Sequence, residues 1–296
     1  MRAAAMPRGI AASLVLTSAL APIAVQARVA EAVLLVPTAQ WNIDYAADSC
    51  KLRRAFGAGA TQVSIEFQQR APNVPYEMML SGHGIRRLQT RAQLTVGLGQ
   101  AFTFKQSNFA AAVTADGTEL IRFRLFRGGA VDKDDGNAVA DAGYQAPHAL
   151  DPVTYVDLTS GKTALRLATG PLSGAVASLN RCVDDLVRGW GLDPAAQRAL
   201  TRRVRPASNP ALWLDSGDYP AAMLAANRGA IVEFRLMISA TGAVTGCNIQ
   251  SGLSYAGFEA RTCAGISRRA RFDPALDAAG NPVASFYINT VRWELG

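Results

Sequence analysis

The chain has 296 residues, of which 49% are hydrophobic and 18% are charged, and its formal net charge is +7. This length allows two domains of ~100 to 200 residues each. The composition excludes a disordered protein. Arginine and lysine are scattered along the chain, which argues against a nucleic-acid-binding protein, because such proteins cluster these residues on one face. We therefore expect a globular protein with a sizeable core.

The first residues have the pattern of a secretory signal peptide. Arg2 and Arg8 precede a largely apolar stretch, residues 10–23. Val25-Gln26-Ala27 after it has the small-x-small pattern of a cleavage site. We predict a signal peptide over residues 1–27, whose loss would lower the net charge from +7 to +5. An uncleaved membrane anchor is the alternative, because the apolar stretch approaches the ~18 residues of a spanning helix. No later stretch is long enough to span a membrane.

Residues 28–190 are predicted to form a β-rich domain that ends in an amphipathic helix. Apolar and polar residues alternate, as in half-buried strands, at Val63–Phe67, Leu94–Leu98, Ile121–Leu125 and Val156–Leu158. Between Pro171 and Trp190 the apolar residues recur every three or four positions, which predicts a helix packed on the preceding sheet. Residues 44–54 are predicted to be helical or turn-like. Residues 191–214 are predicted to be a linker with one short helix, which Asp193-Pro194 begins.

Residues 215–296 contain a series of short motifs in a fixed order. These are Tyr219-Pro220, an alternating run over 229–239, Thr241-Gly242, a second run from Val244 to Ser251-Gly252, a helical stretch Ala256–Ala270, Arg271-Phe272-Asp273-Pro274-Ala275 and a last strand within 283–295. This order resembles the periplasmic C-terminal domain of TonB-family energy transducers, in which the same elements form a ββαβ unit. With the β-rich region before it, the whole chain is predicted to have an α+β fold.

The resemblance implies a periplasmic protein that binds other proteins and is not an enzyme. In that family the domain meets outer-membrane receptors by strand addition at a sheet edge. The edge would be the final strand of this chain, and the residues assigned to it are Ser285, Tyr287, Asn289, Val291 and Trp293. The expected partners are therefore outer-membrane transport receptors or other envelope proteins. The membrane helix and Pro-rich spacer of the transducers have no counterpart in the sequence, so we do not expect a complete energy transducer.

Four cysteines in an exported chain predict two disulfides, for which three pairings exist. Cys247 lies in a predicted strand and Cys263 in the predicted helix that packs on it, so a local bond between them is sterically reasonable. Cys50 and Cys182 then remain for each other. A metal site is the alternative, but it needs closely spaced ligands, and both histidines are far from any cysteine in sequence. We expect no metal and no cofactor.

An envelope hydrolase is the alternative function. Leu214-Asp215-Ser216-Gly217 has the apolar-Asp-Ser-Gly pattern of aspartic proteases, in which two aspartates share a proton and activate water. His83 would suit a catalytic base, but no Gly-x-Ser-x-Gly nucleophile motif accompanies it. The acidic residues before Gly136 could bind calcium, although their spacing does not fit an EF-hand loop. We interpret Asp215, His83 and the acidic segment before Gly136 as parts of turns or loops.

Overall fold

The computed structural model describes residues 31–72, 74–89, 93–106, 109–125, 148–250 and 254–295. The predicted signal peptide, the acidic segment before Gly136 and Ser251-Gly252 lie outside these residues. From Glu31 onward the chain forms one compact unit. None of the helices in the described residues combines the length and the apolar character needed to cross a membrane.

Two sheets make up the first half of the described chain. Their strands are β1 (Val33–Leu35), β2 (Asn42–Ala46), β3 (Ser49–Phe56), β4 (Val63–Gln69), β5 (Glu77–Ser81), β6 (Leu94–Leu98), β7 (Phe102–Gln106), β8 (Ala110–Val113), β9 (Glu119–Arg124), β10 (Val156–Ser160) and β11 (Thr163–Leu167), with a short helix α1 (Arg86–Gln89). One sheet has the order β1-β11-β10-β6-β7 and the other β2-β3-β4-β5-β9-β8. All neighbours are antiparallel except β1 and β11. The four strands predicted from alternation are confirmed.

The helical or turn-like prediction for residues 44–54 is wrong. This segment forms most of the hairpin of β2 and β3, which pair from Asn42 with Arg53 to Ala46 with Ser49. Cys50 and Leu52 are buried on one face of β3, while the intervening Lys51 and Arg53 are on the other. Burial of that face against the rest of the core therefore overrides the weak local preference of the sequence.

A shared apolar core lies between the inner faces of the two sheets, with α2 (Ser173–Gly189) packed on β3. Leu179, Cys182 and Val183 are the residues of this helix that enter the core. The helix matches the one predicted between Pro171 and Trp190. A disulfide joins Cys182 to Cys50 on β3, with their Cα atoms 5.9 Å apart.

The second half of the described chain is a three-stranded sheet covered on one face by a helix. Its elements are α3 (Pro194–Arg198), β12 (Arg205–Pro206), α4 (Ala221–Ala225), β13 (Ala230–Ile238), β14 (Val244–Gln250), α5 (Ala256–Arg269), β15 (Phe272–Asp273), β16 (Ala275–Leu276), β17 (Pro282–Val283) and β18 (Ser285–Trp293). The sheet order is β14-β13-β18, all antiparallel. The predicted α+β fold class is confirmed, with a β-rich first half and the predicted order of strands and helix in the second.

The motifs that carry the resemblance have structural roles in this second half. The Tyr219 ring contacts Phe258 and Trp293, with ring centres 5.3 and 5.6 Å apart. Gly242, in the β13–β14 turn, has a φ of +79°, and a Cβ placed on it would lie 1.9 Å from the Phe272 carbonyl oxygen. Only glycine fits there. A second disulfide, Cys247–Cys263, joins β14 to α5.

Candidate partner-binding edge

β18 is an outer strand of the C-terminal sheet. It pairs with β13 residue by residue, from Ser285 opposite Ile238 to Trp293 opposite Ala230. Within the described residues no strand pairs with its other side. The pairing of β18 with β13 is regular along its whole length, whereas the β13–β14 pairing shifts between Met237 and Ile238.

Two observations establish which backbone groups of β18 face the open side. A Cβ placed on Gly229 would lie 2.7 Å from the Trp293 carbonyl oxygen, so this carbonyl is directed towards β13. The Thr290 N–H donates to its neighbour's side chain, Asn289 Oδ1, at 2.8 Å. Backbone groups in an antiparallel pair alternate between the two sides of a strand. The odd-numbered residues of β18 therefore bond to β13, and the backbone groups of Phe286, Ile288, Thr290 and Arg292 face outward.

The five residues predicted for the edge all lie on the helix-facing side of β18. Tyr287 and Trp293 are 3% and 6% exposed. The indole N–H of Trp293 donates to Thr262 Oγ1 at 3.0 Å. Ser285 is buried, whereas Asn289 and Val291 are half-buried. These side chains mainly pack the domain, so hydrogen bonding to an added strand would come from the even-numbered residues between them.

The beginning of β18 is covered by the segment that joins the two halves of the chain. Gln197 on α3 donates through Nε2 to the Ala284 carbonyl at 3.0 Å and accepts from Ser285 Oγ at 2.6 Å. The Trp190 ring contacts Phe286 edge-on, with centres 5.2 Å apart. Within the part of the chain that the structure describes, the stretch of the edge left accessible is therefore Ile288 to Arg292, of which Arg292 is exposed and the others are half-buried.

The face of the C-terminal sheet opposite α5 is charged and buried. Glu233 on β13 has 8% of its side chain exposed and lies 2.6 Å from Arg70, whose side chain is 9% exposed. Arg122 and Arg124 on β9 are 3.4 and 3.6 Å from the other Glu233 oxygen. A hydrogen bond to Glu77 and the nearby carboxylates raise the pKa of Arg122. The outer face of the β4-β5-β9 sheet thus covers this face through ion pairs.

Arg235 lies next to this cluster on the same face of β13. It is 5% exposed, and its guanidinium carbon is 4.0 Å from the centre of the Trp190 ring. Its Nε and Nη1 have no hydrogen-bond partner among the described residues. Burial lowers the pKa of Arg235. The side chain still carries its charge, because the ordinary pKa of arginine is very high. Its attraction to the indole face is a cation–π contact.

Asp215, the candidate protease residue, is the N-cap of a single 3₁₀ turn, Ser216–Asp218. Its carboxylate accepts from the Gly217 N–H at 2.8 Å, and its own N–H donates to Asp218 Oδ2 at 3.0 Å. Arg269 forms ion pairs with both carboxylates. Hydrogen bonding from Arg269 lowers the pKa of Asp218. Both carboxylates are therefore held in hydrogen bonds and ion pairs within the protein.

Within the residues that the structure describes, no group of three or more His, Cys, Asp or Glu side chains has an arrangement able to hold a metal ion. His83 is 60% exposed at the side chain, and its Nδ1 is 3.6 Å from Glu119. These two residues therefore form at most a weak surface pair.

No curated protein matches this chain. The model of the Gram-negative bacterial TonB protein C-terminal family matches residues 216–295, which span the sheet, α5 and the open edge described above. This match confirms the resemblance inferred from the motifs: residues 216–295 form a TonB C-terminal domain.

Proposed function

We propose that the protein binds another protein of the cell envelope by strand addition at the open edge of β18. TonB C-terminal domains are periplasmic protein-interaction domains, and this match supports an envelope interaction module. The observation that carries the proposal is the position of β18. It is an outer strand of the matched domain, and the backbone groups of its even-numbered residues face outward. Such groups bind an extended segment through main-chain hydrogen bonds.

In this proposal the two halves of the chain have different tasks. The described part of the β-rich half covers the charged face of the C-terminal sheet. No described strand pairs with the outer side of Ile288 to Arg292. An added strand would extend the sheet in its own plane, so it would not need to displace the β4-β5-β9 sheet. Outer-membrane receptors are the class of partner that the domain family favours. The predicted signal peptide would deliver the chain to the periplasm, where it could meet such receptors.

The test compares two proline substitutions one residue apart in β18. Ile288→Pro removes an outward N–H and no bond to β13, so the fold should persist while partner binding falls. Asn289→Pro removes an N–H that faces β13, so this variant should lose stability. Circular dichroism reports the fold, and crosslinking of envelope fractions followed by mass spectrometry identifies outer-membrane receptors bound to each variant.

The expected result is a receptor or other named envelope protein crosslinked at β18 in the wild type and lost in folded Ile288→Pro. Equal recovery of that protein with folded Ile288→Pro would contradict strand addition. Failure to crosslink any envelope protein at β18 would contradict the proposed function as a whole.

A further inference from the structure

The side chain of Asn289 accepts a hydrogen bond from an outward-facing backbone N–H at the centre of the accessible edge. Its Oδ1 accepts from the Thr290 N–H at 2.8 Å, and its Nδ2 donates to Tyr287 Oη at 2.7 Å. The second hydrogen bond holds the amide group in the orientation that the first requires. Tyr287 is itself fixed in the core, where its ring lies 4.9 Å from Phe272 and 5.8 Å from Trp213.

The Thr290 N–H is one of the groups that an added strand would need. An incoming carbonyl and Asn289 Oδ1 cannot both be its main acceptor, because the N–H points in one direction and forms one good hydrogen bond. An uncapped edge carries a further risk, since unpaired N–H and C=O groups promote pairing with any exposed strand. A side-chain cap satisfies the donor while no partner is present.

We propose that Asn289 is a built-in competitor at the edge, whose side chain an added strand must displace from the Thr290 N–H. This inference rests on the proposed function only for its consequence in binding. The cap itself is a property of the free protein. It makes Asn289 a positioning residue that sets how readily β18 accepts a strand, and the partner must supply a backbone carbonyl opposite Thr290.

Amide hydrogen exchange of the full chain, measured by NMR as protection factors, tests the cap. In Asn289→Ala the protection factor of the Thr290 amide should fall roughly fivefold, which corresponds to the loss of one net hydrogen bond. Asn289→Asp keeps an oxygen in the same place and should retain the protection. The amides of residues 289 and 291 face β13, so their protection should not change in either variant.

Unchanged protection of Thr290 in Asn289→Ala would overturn the inference. So would an equal loss at residue 291, because it would show general loosening of the strand. If Asn289→Ala does not fold, Asn289→Val, which also lacks an acceptor but favours a strand, replaces it and is judged by the same two outcomes.

The binding consequence is measured with the envelope protein crosslinked to the wild type. Because Asn289→Ala removes the cap, the crosslinked yield of this envelope protein should be higher with that variant than with the wild type. With Asn289→Asp, which keeps the cap, the yield should equal or fall below the wild-type yield. A lower yield with folded Asn289→Ala would overturn the competitor role. If no envelope protein crosslinks at all, the proposed function fails, and the exchange experiment still decides whether the cap exists.

Discussion

At the centre of strand β13, the two faces are buried to a similar degree by opposite chemistry. Val232, Phe234 and Leu236 face α5 and are 0–1% exposed. On the other face, Glu233 and Arg235 are 6% and 5% exposed. The apolar face stabilises the domain in proportion to the area it buries. The charged face gains much less, because desolvation offsets most of the attraction between the ions.

The difference shows what each face contributes. An apolar face would accept many apolar surfaces, whereas Glu233 accepts a surface only where positive charges lie opposite it, as Arg70 and Arg122 do. We infer that the α5 face mainly supplies stability and that the charged face mainly selects and orients the β-rich half. Three substitutions on this one strand test that division.

The largest effect is expected on the apolar face. Phe234→Ala should lower the free energy of unfolding by about 3–5 kcal/mol, since it removes a fully buried ring and leaves a cavity. Chemical denaturation provides the measurement. Ile231→Ala is the matched control, because Ile231 is on the opposite face of β13 and 39% exposed. A loss for Phe234→Ala no greater than that of the control would contradict the assignment of stability to this face.

A smaller loss is expected at the centre of the charged face. Glu233→Gln keeps the shape but removes the carboxylate closest to the buried Arg70, which retains only a longer contact with Glu77 at 3.9 Å. This change should cost about 3 kcal/mol. Arg70→Met combined with Glu233→Gln should cost less than the sum of the single changes. Strict additivity in denaturation measurements on the four proteins would show that the two residues are not coupled, which would remove the basis for a selective charged face.

The smallest effect is expected at Arg235. Arg235→Met should change the free energy of unfolding by no more than about 1 kcal/mol, because the lost cation–π contact is offset by the end of a costly buried charge. Thermal unfolding measures this, with Leu236→Ala on the apolar face of the same strand as the comparison. A loss for Arg235→Met as large as that for Leu236→Ala would mean that the charged face also contributes substantial stability.

Much of the C-terminal fold could be predicted from the sequence, because its signals are local. The alternation from Val232 to Ile238 identifies β13, and Gly242 marks the turn that needs a positive φ. The helix over 173–189 was also predictable, since its apolar stripe has a regular spacing. Motif order then linked these elements to a known family.

The burial of Glu233 and Arg235 could not be predicted, because alternation alone identifies them as solvent-facing. Their burial depends on Arg70, Arg122 and Trp190, which are distant in sequence and reach them only through the tertiary fold. The candidate edge was predicted as a strand, but its outward backbone groups depend on hydrogen-bond alternation with β13. That alternation follows from the register of the pair, which a single sequence does not encode locally.

The segment before the family match belongs to the core of the C-terminal half. Trp213 is 3% exposed and packs on Phe272 and Tyr287, Val204 is 6% exposed, and Arg205 pairs with Asp273 across two short strands. A fragment cut at residue 216 would therefore lack part of its own interior and expose the aromatic rings that Trp213 covers. Dissection of this protein for binding studies should begin upstream of α3, where Gln197 also remains attached to the start of β18.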